Sequence, residues 1–118
     1  MKNLFQALDK IEKAISGFQK LERTEANIQN LADALTTRGQ IYLDMQLDAE
    51  FRADCWKVFD FFEANNQESH PFHCHLREYY AKYLDKEGEK ERAQEIRNET
   101  SQFRQERRGR LEQGLRQE

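Results

Sequence analysis

FRADCWKVFDFFEANNQESHPFHCHLREYYAKYL, residues 51–84, decides the fold: it holds nine of the thirteen aromatic residues, and the chain on either side is more polar. At 100° per residue, Phe51, Cys55, Val58, Phe59 and Phe62 fall on one face of a helix from about Ala49 to Asn65. Trp56 and Phe61 widen that face on opposite edges, so the apolar arc covers more than half the circumference. A helix of this kind is central, or it offers its surplus to a partner. Phe72, Leu76, Tyr79, Tyr80 and Tyr83 make a second stripe, with Leu84 at its edge, on a helix that Pro71 can open and Gly88 can close. Residues 65–69 are the connection, and Ser69 or His70 is the cap. The two helices are expected to fold against each other, with the rest of the chain covering them.

Upstream, Leu4, Leu8, Ile11, Ile15 and Phe18 recur at alternating four- and three-residue steps, which predicts a docking helix from about Lys2 to Leu21. Phe5, Ala14 and Leu21 flank that stripe. Thr24 can cap a second helix, with Ile28, Leu31, Leu35, Tyr42 and Met45 along its stripe and Gly39 beside it, a small residue that marks close packing or a kink. Asp48 can cap the third. Downstream, Ala93, Ile96, Thr100 and Phe103 face inward on a fifth helix from about Lys90. After Phe103 only Leu111 and Leu115 are apolar, so residues 1–103 are expected to form a helical domain and 104–118 a charged, partly flexible extension.

Composition agrees. One proline and five glycines among 118 residues leave few of the turn signals an all-β domain needs, and 35% charged residues suit amphipathic helices with wide wet faces. The expectation is an all-α fold: a single small domain of four to five antiparallel helices, a helical-hairpin bundle, with a long charged C-terminal helix or tail. Tyr80, Ala81, Leu84, Gly88, Ala93 and Ile96 have spacings similar to those of a tetratricopeptide repeat over about residues 77–98. Arg77 stands where that repeat carries its early tryptophan, and a second copy around Leu35, Gly39 and Tyr42 would lie 42 residues away. What carries over is a helical-hairpin style of packing, without a family.

The net charge of −3 creates no overall positive field toward nucleic acid or anionic lipid. No apolar run reaches the length of a membrane span, MKNLFQALDK lacks the hydrophobic region of a secretory signal, and two cysteines are too few for a disulfide framework. A cytoplasmic protein with reduced thiols is expected. Residues 1–68 carry twelve acids against eight bases, a net of −4, which is mild polarity.

Three groups of residues bear on function. His70, His73, Cys74 and His75 are metal-ligand types, yet residues 73, 74 and 75 point about 100° apart on a helix and cannot converge on one ion. His70 with His73 or Cys74 can share a face. Cys74 beside a histidine is also the residue pair of a thiol nucleophile, although no glycine-rich loop or orienting third residue accompanies it. Arg97, Arg104 and Arg108 share a helical stripe with Arg107 beside it, a ridge able to track phosphates, with Glu95, Glu99, Glu106 and Glu112 interleaved. The leading expectation is a non-enzymatic protein-interaction module without cofactor: an adaptor, an inhibitor or a small subunit. It would grip another protein, or a second copy of itself, through Trp56, Phe61, Tyr79 and Tyr80. The alternative is a nucleic-acid accessory protein using Arg97, Arg104, Arg107 and Arg108. A metal-binding protein using His70, His73 and Cys74 comes third.

Overall fold

The computed structural model describes residues 2–117 and is all-α. Five helices follow in order: α1 Lys2–Gln19, α2 Glu25–Asp44, α3 Asp48–Ala64, α4 Pro71–Lys86 and α5 Lys90–Gln117. No strand occurs among the described residues. α1 packs against α2, and α4 against α5, as two helical hairpins. The chain divides into two compact units, Met1–Phe61 and Phe62–Glu118, so the last turn of α3 belongs to the second.

Local chemistry sets the helix ends. Thr24 is extended, and its Oγ1 accepts a hydrogen bond from the Asn27 N–H at 3.2 Å, satisfying one of the orphan amides at the start of α2. His70 caps α4 in the same way: its Nδ1 accepts from the Phe72 N–H at 3.1 Å, and Pro71 fills the first helical position. α3 begins one residue earlier than the sequence indicates. Asp48 lies in the first turn, where its charge complements the helix dipole.

Three helices finish alike. Gln46, Asn66 and Gly88 have φ of 63°, 56° and 84°, and the next N–H in each case returns to a carbonyl five residues back: Leu47 to Tyr42, Gln67 to Phe62 and Glu89 to Leu84. These are Schellman endings, and only the third places a glycine at the left-handed position. Across this ending α4 turns back and lays α5 along itself. α5 then runs without interruption past Phe103 to Gln117, with residues 104–114 exposed.

The first unit buries Leu31, Leu35 and Ile41 of α2 and Phe51, Val58 and Phe59 of α3. Gly39 marks the close approach of these two helices. A Cβ there would lie 3.5 Å from both the Asp54 Cβ and the Phe51 Cδ1, in ordinary contact, so glycine leaves room for alanine and little more. The second unit buries Phe62, His73, Leu76, Tyr80 and Leu84 against Ala93 and Ile96 of α5.

The helix endings give a paired test. Gln46→Gly is expected to raise stability, because a left-handed side-chain-bearing residue is relieved, and Gly88→Ala to lower it, each by about 1 kcal/mol. Urea unfolding midpoints with an unchanged slope are the measurement.

Candidate functional site

The histidine and cysteine cluster is a clamp on the loop before α4. His73 is fully buried, and its Nδ1 lies 2.7 Å from the Glu68 carbonyl oxygen. A carbonyl only accepts, so the proton is on Nδ1. The Cys74 thiol, 3.8 Å from the same oxygen, donates to it as well. His70 spends its Nδ1 on the α4 cap. His73 and Cys74 thus share one backbone carbonyl while His70 serves the cap, and no three His, Cys, Asp or Glu side chains among the described residues converge on a point that could hold a metal ion. The metal site expected from His70, His73 and Cys74 is not assembled, because the helix directs 73 and 74 to one backbone carbonyl and 70 to the first turn.

Nucleophilic chemistry fares no better. Burial pushes the Cys74 thiol up, against the pull of Arg104 and Arg77, and it pushes Cys55 up to about 12, so both sulfurs are held as weakly reactive thiols. His73 lies between rings, stacked on Phe62 at 5.2 Å and tilted against Phe103 at 5.8 Å. Burial first, and then the nearby Arg77, lower its pKa to about 4. It is a neutral core residue, not a base poised near neutrality.

Each unit also buries one charge that the sequence pattern does not announce. In the second, Arg77 is 1% exposed: its Nε donates to Thr100 Oγ1 at 3.1 Å, its Nη2 lies 3.3 Å from Glu99 Oε2, and its guanidinium sits 5.3 Å from the centre of the Phe103 ring. In the first, Asp54 is 2% exposed and receives both Nε and Nη2 of Arg38, at 2.9 and 2.7 Å. That fork-to-fork pair raises the Arg38 pKa. The only trace of these sites in the chain is a charged residue at a register position that should be apolar.

The arginine ridge is divided in its use. Arg97 pairs with Asp85 and Arg104 with Glu78, in each case back to α4. Arg107 and Arg108 are exposed, with no ion pair to a described residue. Arg110 donates to the Ser69 hydroxyl.

The four candidate aromatic anchors differ in burial. Tyr80, at 1% exposure, is core, a correction to its expected place on a contact face; it stacks on Tyr83 at 6.0 Å, while Tyr79, one residue earlier and 100° around the helix, is exposed. Trp56 is half-buried with its ring edge-on to Phe59. Phe61 lies under the Arg23 guanidinium, 5.0 Å away, and lines a hollow of about 410 Å³ with Ile15, Leu31, Leu35, Arg38 and Lys57.

The uncovered apolar surface lies elsewhere. Of the α1 stripe only Ile15 is buried; Leu4, Leu8, Ile11 and Phe18 are half-exposed, and Phe5 is 69% exposed. The signal was present in the flanking position of Phe5, which the stripe does not absorb. The chain matches no protein-family model, no curated protein and no solved structure, so the functional reading rests on these side chains.

The His73 environment predicts a pH dependence. Its folded pKa of about 4 lies below the ordinary 6.5, so between these values the unfolded chain binds more protons and stability falls as pH falls. About 2 kcal/mol should be lost between pH 7 and pH 5. His73→Phe, which keeps a ring between Phe62 and Phe103, should flatten this part of the profile in urea unfolding at the two pH values.

Proposed function

We propose that this protein is a non-enzymatic module that binds another protein, and that α1 supplies the contact. The observation that carries the reading is the incompletely covered apolar face of that helix. Single exposed apolar residues are ordinary on any surface. Here Leu4, Leu8, Ile11 and Phe18 repeat along one stripe with Phe5 at its edge, while Asp9, Lys10 and Lys13 lie outside. The stripe spans about 21 Å at 1.5 Å per residue, roughly four turns. That length and outline fit the apolar face of an amphipathic helix laid alongside it, the helix-in-groove mode of recognition.

Several features support binding over catalysis. Both thiols are held in their unreactive form, His73 is committed to a backbone carbonyl, and the histidines share no ligand point. The nucleic-acid alternative has less support, because Arg97 and Arg104 of the four ridge arginines already answer carboxylates on α4. Among the described residues no helix is long and apolar enough to cross a membrane. Phe61 and Trp56 belong to the same unit as α1, and Tyr79 offers an additional exposed ring on α4.

Phe5→Asp combined with Leu8→Asp tests the reading. Phe5 is exposed and Leu8 half-buried, so the helical circular dichroism should be retained with only a modest fall in melting temperature. A helical partner captured by the wild-type chain, or a dimer seen by light scattering, should be lost, with affinity reduced at least about tenfold. The reading fails if the complex survives the double substitution, or if the substitution instead abolishes adsorption to lipid vesicles.

A further inference from the structure

Two hollows lie side by side where the start of α4 meets the outer half of α5. The first, about 260 Å³, is lined by Asn66, Gln67, Ser69, His70, Arg107 and Arg110, with Leu111 at its edge. The second, about 310 Å³, is lined by Pro71 and Cys74 of α4 and by Arg104, Arg107, Arg108 and Leu111 of α5. They share Ser69, Arg107 and Leu111. Together they fall in the range of roughly 300–1,000 Å³ that small-molecule sites occupy.

The charge here is concentrated by helix geometry. Arg104, Arg107, Arg108 and Leu111 fall within about 100° of one another around α5, with Arg110 on their flank; Glu106 lies one turn before Arg110 and Glu112 one turn after Arg108, and neither is ion-paired to them. Arg104 is neutralised by Glu78, but Arg107 and Arg108 have no ion pair to a described carboxylate, and Arg110 is engaged only by the neutral Ser69 hydroxyl. A guanidinium has five N–H donors, so the Ser69 bond orients Arg110 and leaves most of them available. The first hollow is therefore polar and cationic. The second pairs apolar side chains with guanidinium planes, a surface on which a flat ring can stack.

We propose that the pair of hollows binds a small organic phosphate, with the phosphate oxygens received by Arg107, Arg110 and the Ser69 hydroxyl and a planar body lying against Pro71, Leu111 and Arg108. A mononucleotide has this chemistry. The site is separate from the α1 contact and does not depend on it.

Adenosine monophosphate, inorganic phosphate and adenosine are the probes, titrated into the full-length ¹⁵N-labelled chain. The monophosphate should shift the amides of residues 69–73 and the arginine Nε–H signals, and bind more tightly than either fragment. Arg107→Ala with Arg108→Ala should weaken it about tenfold, the loss of charge-assisted hydrogen bonds. Lys10→Ala with Lys13→Ala removes the same charge from α1 and should change affinity less than about twofold. All four residues are exposed, so both double variants should fold. Equal losses in the two variants would reduce the effect to net charge and overturn the proposal. So would equal affinity for inorganic phosphate and the nucleotide, an absence of shifts, or a single-stranded oligonucleotide whose much tighter binding extends the shifts along α5 beyond the hollows.

Discussion

A guanidinium shut inside a helical hairpin dominates the second half of this molecule. Arg77 has almost no contact with water, so its hydration must be replaced, and α5 supplies the replacement: the Thr100 hydroxyl, the Glu99 carboxylate and the face of Phe103. These three groups fall within an arc of about 100° on α5. The register of α5 on α4 is thereby fixed by polar geometry, since a slip would strand a buried charge at a penalty of several kcal/mol. The first unit repeats the device with the opposite sign, where Arg38 of α2 reaches the buried Asp54 of α3.

The same logic explains the residues that look most like a catalytic or metal site. His73 and Cys74 both meet the Glu68 carbonyl of the tight connection before α4, which needs donors. His73 satisfies it while filling the space between Phe62 and Phe103, a combination of polar edge and flat ring that an aliphatic residue could not provide. Its low pKa is a consequence of this structural position.

Much of the architecture was legible in the sequence. The five helices, the Thr24 cap, Pro71 at the start of α4 and the Gly88 ending follow from local chemistry that tertiary contacts did not override. The endings at Gln46 and Asn66 were not legible, because neither residue is the glycine that ordinarily marks a left-handed position and the evidence for them is a hydrogen bond five residues back. Arg77 was visible only as a missing tryptophan. Its burial depends on Thr100 and Phe103, more than twenty positions away, and pattern reading treats a charged residue as surface. The contact residues suffered from the same blindness to partners: Tyr79 and Tyr80 are indistinguishable by type, yet one completes a core and the other is exposed. Conversely, the regular stripe of α1 predicts a docking helix, and only the structure shows that four of its five stripe residues remain in partial contact with solvent.

The exposed apolar side chains of α1 and the exposed arginines of α5 are thus distinct from the buried polar residues that hold helices in register within each unit. A double-mutant cycle between Arg77→Met and Thr100→Val probes that division most directly, with stability read from urea unfolding. Thr100→Val alone should destabilise by about 1–3 kcal/mol, since it leaves a buried guanidinium short of an acceptor. The same change in the Arg77→Met background should be smaller by about 1 kcal/mol or more. Strictly additive losses would mean that Arg77 and Thr100 act independently, and that packing of the rings alone sets the register of α4 and α5.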